Sequence, residues 1–579
     1  MNCRMPFGFA LLLLAHIAQA APSVSFVDTT YQPASGAPVA AQMGTLVVPE
    51  SRRNPSEKTV SLKFVRFPST SATPGPPIVY LAGGPGGSGI ESARGTRFPL
   101  FMAMREFGDV IALDQRGTGI SEPSLRCGEG YMIAFDKPLD RADAEAAMAG
   151  AMAQCFARLR AEGIDPNAYN TVESADDLND LRIALGAEKL SLWGISYGSH
   201  LALATLRAHG ETIDRAILAG IEPLDATLKL PSDQQALMEQ IALRVAADSA
   251  FAKALPDMNA LVAKLLKGLA DEPARATLVH PANGQAIEVV LGPLDLQMVL
   301  AGMLTAPESF AAMPDLLLRL ELGDWTALAL QAGMLRMGRS PNAMSVAMDC
   351  GSGGSAQRLQ RIADEAKQTL LGDAINMPFF GICAGLQVPD LGAEFRAVVH
   401  AQTPTLLISG TLDGRTPPHN ATDAMAGLPN AVHLLIEGAG HSDPLFLSSP
   451  KILQAMQAFM RGETVSEAPI EVKVASFNPP RSVIELSAER LAAYAGEYEL
   501  AGGDVRKLVA AGNLLYSFRG NGRPFPLRPS SEREFFWEGL PAQVQFELAE
   551  DGEVLAMLVD ADGDGQGFER AAKRKENAE

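Results

Sequence analysis

Leu190-Ser191-Leu192-Trp193-Gly194-Ile195-Ser196-Tyr197-Gly198 carries two signals at once. The run 190–193 is short and apolar, as a buried strand requires. Residues 197–209 then read as a helix. Between them stands a serine with a glycine two residues away on either side. A strand-to-helix turn this tight permits only small neighbours, and it lifts the serine hydroxyl clear of the sheet beside a helix N-terminus. Ser196 is therefore the candidate nucleophile.

Outward from this turn, apolar runs recur at 78–82, 110–113, 216–218, 405–408 and 432–436, with helical segments between them. Strands alternating with helices imply a mainly parallel sheet covered on both faces. Residues 42–48 and 59–67 alternate apolar with polar, as half-buried strands do. Ser174-Ala175-Asp176-Asp177 looks like a capping-box start; Leu178, Leu181 and Leu185 follow at helical spacing, and Gly186 is the stop. Residues 452–460 read as another helix. From 228 to 394 the pattern is almost wholly helical, at 234–250, 258–269, 294–304 and 314–336. Inserted between two strands, this stretch is expected to cap the sheet edge. Asn478-Pro479-Pro480-Arg481 marks a linker (466–482). Beyond it, 496–500, 505–510, 514–519, 534–537, 543–549 and 554–559 read as strands, with hairpin turns at Gly512-Asn513 and Glu550-Asp551-Gly552. The expected class is α/β: a core in two parts (21–227 and 395–465), an inserted helical cap (228–394) and a small antiparallel β-barrel-like domain (483–579).

At 579 residues the chain exceeds one ordinary core, and 47% hydrophobic with 20% charged residues is a globular composition. A net charge of −19 disfavours nucleic acid and anionic membranes. Residues 1–20 run from Met1-Asn2-Cys3-Arg4 through an apolar stretch to Ala18-Gln19-Ala20, the pattern of a signal peptide cut after Ala20. An exported protein, periplasmic or extracellular and without membrane insertion, is expected. Cys127, Cys155, Cys350 and Cys383 then remain. An even number in an oxidising compartment suggests two disulfides. Three pairings are open; Cys127–Cys155 with Cys350–Cys383, the closest along the chain, is the simplest. No Cys-x-x-Cys or histidine pair accompanies them, so no metal is expected. Asp560-Ala561-Asp562-Gly563-Asp564-Gly565 is not an EF-hand loop, because its twelfth position is Ala571.

A serine hydroxyl needs a base. Of eight histidines, His441 ends Glu437-Gly438-Ala439-Gly440-His441, a small-residue loop after the last predicted core strand. An imidazole there can reach over the carboxyl edge of the sheet. Its other nitrogen needs an acceptor, and Asp413 in Gly410-Thr411-Leu412-Asp413-Gly414-Arg415-Thr416-Pro417 follows another late strand. The order Ser, Asp, His matches this kind of sheet. Oxyanion donors are expected from the Tyr197 amide and from Gly83-Gly84-Pro85-Gly86-Gly87-Ser88-Gly89, with Gly84 first and Gly83 next. That loop lacks Gly-Lys-Ser/Thr, so it is no nucleotide P-loop, and no cofactor is expected. Asp114-Gln115-Arg116-Gly117-Thr118-Gly119 reads as a structural turn with an Asp–Arg ion pair flooring the pocket.

At these motifs the chain resembles the proline iminopeptidase and tripeptidyl aminopeptidase group of α/β-hydrolases, over roughly residues 40 to 465. Residues 171–186, with Asp177-Leu178 and Leu181-Arg182, look like the segment before that family's nucleophile strand. Cys350 and Cys383 look like the exported, tripeptidyl-type branch. The resemblance implies an α/β-hydrolase fold and a secreted serine aminopeptidase, forming an acyl-enzyme on Ser196 with peptides that have a free N-terminus. Ala82 departs from it, since proline iminopeptidases usually carry histidine there. The acids that hold the substrate ammonium come from the family's cap and do not align by eye; Glu222 is a candidate. A carboxylesterase with the same triad, and a non-catalytic binding protein on this scaffold, are the alternatives. Leu491, Tyr494, Gly496, Tyr498, Phe525 and Gly567-Phe568-x-Arg570 resemble the small β-barrel attached to some serine hydrolases and penicillin-binding-type enzymes.

Overall fold

The computed structural model describes residues 22–574 except 55, 280–284, 340, 501–502, 521–523, 539, 541 and 562–566. The expected leader, 1–20, and most of the acidic turn 560–565 lie outside the described residues.

A ten-stranded sheet forms the centre. Its order from one edge is Ser23–Tyr31, Val39–Pro49, Thr59–Phe67, Val110–Leu113, Ile78–Leu81, Leu190–Ser196, Ile213–Ile221, Thr405–Gly410, Ala431–Glu437 and Ile470–Glu471. The first three strands pair antiparallel, and from Val110–Leu113 onward all neighbours are parallel. Alternate side chains enter opposite layers. Trp193, Ile217, Leu406 and Ile408 pack with Phe101 and Phe446 on one face. Leu192, Leu218 and Leu407 pack with Leu178 and Leu201 on the other. Both faces are apolar, which is why the central strands read as continuous hydrophobic runs.

Several boundaries differ from expectation. The helix before the nucleophile strand is Thr171–Ala184, capped not at Ser174 but by Asn170, whose side chain accepts from the Val172 and Glu173 amides. Ser23–Tyr31 is a strand beyond those read from the sequence. The stretch 228–394 contains helices Pro231–Ala247, Met258–Asp271 and Pro293–Met303 around their own core of Leu237, Ile241, Val262, Leu296 and Leu328. It also contains an antiparallel hairpin, Ala274–Val279 with Ala286–Leu291, so it is not almost wholly helical. The expected helix 314–336 is two, Met313–Glu321 and Thr326–Arg336, parted at Gly323 with φ 85°. The linker is no free tether: Ile470–Glu471 extends the sheet, and buried Asn478 donates its amide to the Ala311 carbonyl at 2.9 Å. Disulfides join Cys127 to Cys155 and Cys350 to Cys383.

The C-terminal strands close into an eight-stranded antiparallel barrel. Its interior is filled by Tyr498, Leu515, Trp537 and Phe546, and by Leu491 and Tyr494 of the helix Ala488–Tyr494. The barrel is pinned to the inserted region by charge. Arg319 forms a two-pronged pair with Glu538 and meets Asp315 at 3.1 Å, while Arg528 meets Asp324 at 2.8 Å.

In the turn after the strand Val110–Leu113, Arg116 is fully buried. Its guanidinium donates to Asp177 at 2.6 and 2.7 Å and to the carbonyls of Glu50 and Ala168, both at 2.7 Å. Arg52 reaches Glu173, Asp177 and Asp180 from the rim. Arg116→Met strips a buried carboxylate and two carbonyls of their main donor. It is expected to destabilise the sheet domain by about 3 kcal/mol or more, read as a lower urea midpoint; an unchanged midpoint refutes this.

Candidate active site

Ser196 ends the strand Leu190–Ser196 with φ 55° and ψ −126°, a conformation that a non-glycine residue adopts only under constraint. The constraint is visible next door. A Cβ on Gly194 would lie 2.6 Å from the Gly198 carbonyl oxygen, and one on Gly198 would lie 2.0 Å from that of Leu81. Helix Tyr197–His209 can therefore start hard against the neighbouring strand, with the serine turned out at the sheet edge. Ser199 locks the turn, donating to the Ser196 carbonyl at 2.6 Å and accepting from the Glu222 amide at 2.9 Å.

Asp413 and His441 follow the strands Thr405–Gly410 and Ala431–Glu437, and they meet: Nδ1 of His441 is 2.8 Å from Oδ2 of Asp413. An ionised carboxylate only accepts, so the proton of this bond sits on Nδ1 and Nε2 carries the free lone pair. Asp413 is held by the loop that carries it. The Arg415 and Thr416 amides donate to Oδ1, both at 2.8 Å, and the Thr416 hydroxyl donates to Oδ2 at 2.7 Å. Burial works to raise the Asp413 carboxyl, but the adjacent imidazole and the Thr416 bonds outweigh it and hold it below the usual carboxylate range. Ser196 and His441 line the same cleft, of about 580 Å³. Among the described residues no hydrogen bond joins the hydroxyl to the imidazole; in ligand-free sites such contacts are long and tighten with substrate.

The glycine loop forms the opposite wall. A Cβ on Gly83 would come 3.0 Å from Ser196 Cβ, so only glycine brings the chain this close to the hydroxyl. Gly83 and Gly84 line the cleft, and Tyr197 begins the helix behind it. The loop is tethered by Asp114. Its carboxylate accepts from Ser88 Oγ at 2.5 Å and from the Ile90 and Ile120 amides at 3.2 and 2.9 Å. Asp114 thus pairs with the loop and not with Arg116. The expected Asp–Arg ion pair does not form, because Asp177 takes the arginine.

Glu222 needs a second correction. It does not line the cleft. It is buried with Oε2 2.7 Å from Lys229 Nζ, and its other oxygen is 3.8 Å from His200 Nδ1. Burial favours the neutral acid, yet the lysine and histidine keep the carboxyl below its ordinary range. Glu222 thus sits in a buried pair with Lys229, outside the residues that line the cleft.

Three functional neighbours escaped the sequence. Thr416 had a signal, since Asp with Thr three residues on is a side-chain turn pattern. Arg97 and Arg415 had none. Arg97 lies in the cleft wall and donates to Tyr80 Oη at 2.6 Å, Asp443 Oδ1 at 2.7 Å and Ser442 Oγ at 2.9 Å. Ser442, directly after the histidine, has φ 77°. Arg97 therefore clamps the turn that aims the imidazole.

Comparison with known proteins follows the same outline. The sequence model of the family described as alpha/beta hydrolase fold matches residues 76–446. Serine protease Hip1 of Mycobacterium tuberculosis is 25% identical over 465 residues, which span 74% of this chain and 86% of that protein. Tripeptidyl aminopeptidase of Streptomyces lividans is 31% identical over 171 residues, 28% of this chain and 31% of its own. A Streptomyces coelicolor protein named as a probable proline iminopeptidase is 28% identical over 147 residues, 25% of this chain and 33% of its own.

Arg97→Met keeps the apolar stem and removes all three clamping bonds. Labelling of Ser196 by a serine-directed phosphonate is expected to slow about ten- to hundredfold, as for an imidazole displaced by an ångström or less. Arg97→Lys, which retains a cation near Asp443, loses less. Equal rates in all three proteins would show that the clamp is irrelevant to the imidazole.

Proposed function

The chain belongs to the alpha/beta hydrolase fold family, and from that premise we propose that it is an exported serine peptidase that cleaves near a free amino terminus through an acyl-enzyme on Ser196. The observation that carries the proposal is the 2.8 Å Asp413–His441 contact in the same cleft as a serine held at φ 55°. Likeness to Hip1 over most of both chains supports peptide hydrolysis. Likeness over shorter segments to tripeptidyl aminopeptidase and to a proline iminopeptidase supports a requirement for the free terminus. The two disulfides support export.

The proposed chemistry uses each group once in each half-reaction. Nε2 of His441 takes the Ser196 proton as Oγ bonds to the substrate carbonyl carbon. The resulting oxyanion is received by the Tyr197 amide and by the amide of Gly84 or Gly83. Imidazolium, steadied by Asp413, passes the proton to the departing amine as the C–N bond breaks. Water then repeats the sequence on the ester and frees the acid. Asp413 stays ionised throughout, in keeping with its depressed pKa.

Ser196→Ala is expected to lower turnover by several powers of ten while leaving the fold intact; normal turnover in that variant would end the proposal. A peptide amide with a free amino terminus is expected to be cleaved at least about a hundredfold faster than its acetyl-capped twin, because capping removes the ammonium that a terminus-recognising site would pair with. Indifference to the cap would point instead to a carboxylesterase or another peptidase.

A further inference from the structure

The loop that holds Asp413 also contributes a cation to the cleft. Arg415 uses its backbone amide on Asp413, and the residue lines the cleft together with Ser196 and His441. It is half-exposed, and among the described residues its guanidinium enters no hydrogen bond or ion pair. The other arginine of the cleft is different: Arg97 is committed to Tyr80, Ser442 and Asp443.

Two buried acids lie within electrostatic reach of Arg415, and neither forms an ion pair with it. Glu222 is matched by Lys229 at 2.7 Å. Asp349, on helix Ala343–Ser352, is pushed up to about 8 by burial and by Glu222, so at neutral pH it is mostly protonated and uncharged. An arginine side chain is always cationic and presents a planar fork matched to carboxylates. A protein of net charge −19 thus keeps an unpaired guanidinium in the cleft that holds its nucleophile. Position narrows the role. Asp413 and Thr416, on either side of Arg415 in the chain, both contact Nδ1 of His441, so the Arg415 backbone lies beside the imidazole. The imidazole must face the departing amine to protonate it.

We propose that Arg415 receives a carboxylate carried by the leaving group, so that the preferred substrates are short peptides ending one or two residues beyond the cleaved bond. This rests on the peptidase proposal above for its scissile bond, though not for its binding step. A guanidinium–carboxylate contact in a partly enclosed site is a strong, charge-assisted one. Long polypeptides place no terminal carboxylate within reach and forgo it.

The test uses three tetrapeptides with a free amino terminus: the C-terminal acid, its amide, and an amide whose last residue is glutamate. The ratio of kcat/KM for acid over plain amide is expected to be roughly ten to a hundred in the native protein. It is expected to fall near one in Arg415→Gln and to lie between in Arg415→Lys. Calorimetric Kd values for the same peptides, measured on Ser196→Ala with and without Arg415→Gln, are expected to show the same gap. They read the carboxylate site even if none of these peptides is cleaved, which separates failure of this proposal from failure of the peptidase one. A native ratio near one, a ratio unmoved by Arg415→Gln, or a preference for the glutamyl amide alone would each overturn the assignment.

Discussion

A tight steric contact between the start of one helix and the adjacent strand governs this molecule. Gly198 rests against the Leu81 carbonyl, and no side chain fits between them. That contact lets helix Tyr197–His209 begin at the sheet edge, and it forces Ser196 into φ 55° to bridge strand and helix. The strain is held by burial on both faces of the sheet and by Ser199, which ties the turn to Glu222. Such a residue costs about 1–3 kcal/mol and persists only where its surroundings over-determine it. Here they do, and the reward is a hydroxyl that points into the cleft without having to search for it.

The elements around the cleft are tied together by buried polar groups. Asp114 ties the glycine loop to the turn at Ile120, Asp177 receives Arg116 and Arg52, and Thr416 with two amides secures Asp413. Moving one of these elements would strand a buried charge. Lys229 with Glu222 does the same behind the elbow helix. Among the described residues that line the cleft, Arg97 is committed to Tyr80, Ser442 and Asp443, whereas the guanidinium of Arg415 enters no ion pair.

Barrel and cap add a second layer of the same kind. Arg319 and Arg528 reach from either side of the junction to Glu538 and Asp324, and the apolar pair Leu514 and Tyr516 packs toward Val279 and Leu330. The barrel interior is filled largely by aromatic side chains and by Leu491 and Tyr494 of its helix, and its outer surface carries the contacts to the inserted region. Thr305 of that region lines the cleft.

The sequence by itself determined the class of fold, the turn at Ser196 and the placing of Asp413 and His441 after late strands. All of these depend on local sterics or short spacing, which residues two to four apart express wherever they are. It also marked an antiparallel C-terminal domain, yet two of the barrel strands escaped. Phe525–Pro529 carries two prolines, which read as breakers, and Phe568–Lys573 is too charged to look like a strand. Closure, which pairs Tyr498 with Lys573, makes strands of both ends. Only the tertiary structure decided which opposite charges meet. Arg116 had Asp114 two residues away and took Asp177 instead, 61 residues on, because a strand turns Asp114 toward the glycine loop while a helix turns Asp177 inward. Glu222, Arg97 and Arg415 follow the same rule. A charge exerts its effect through distance in space, and the chain order of these residues carries no measure of it.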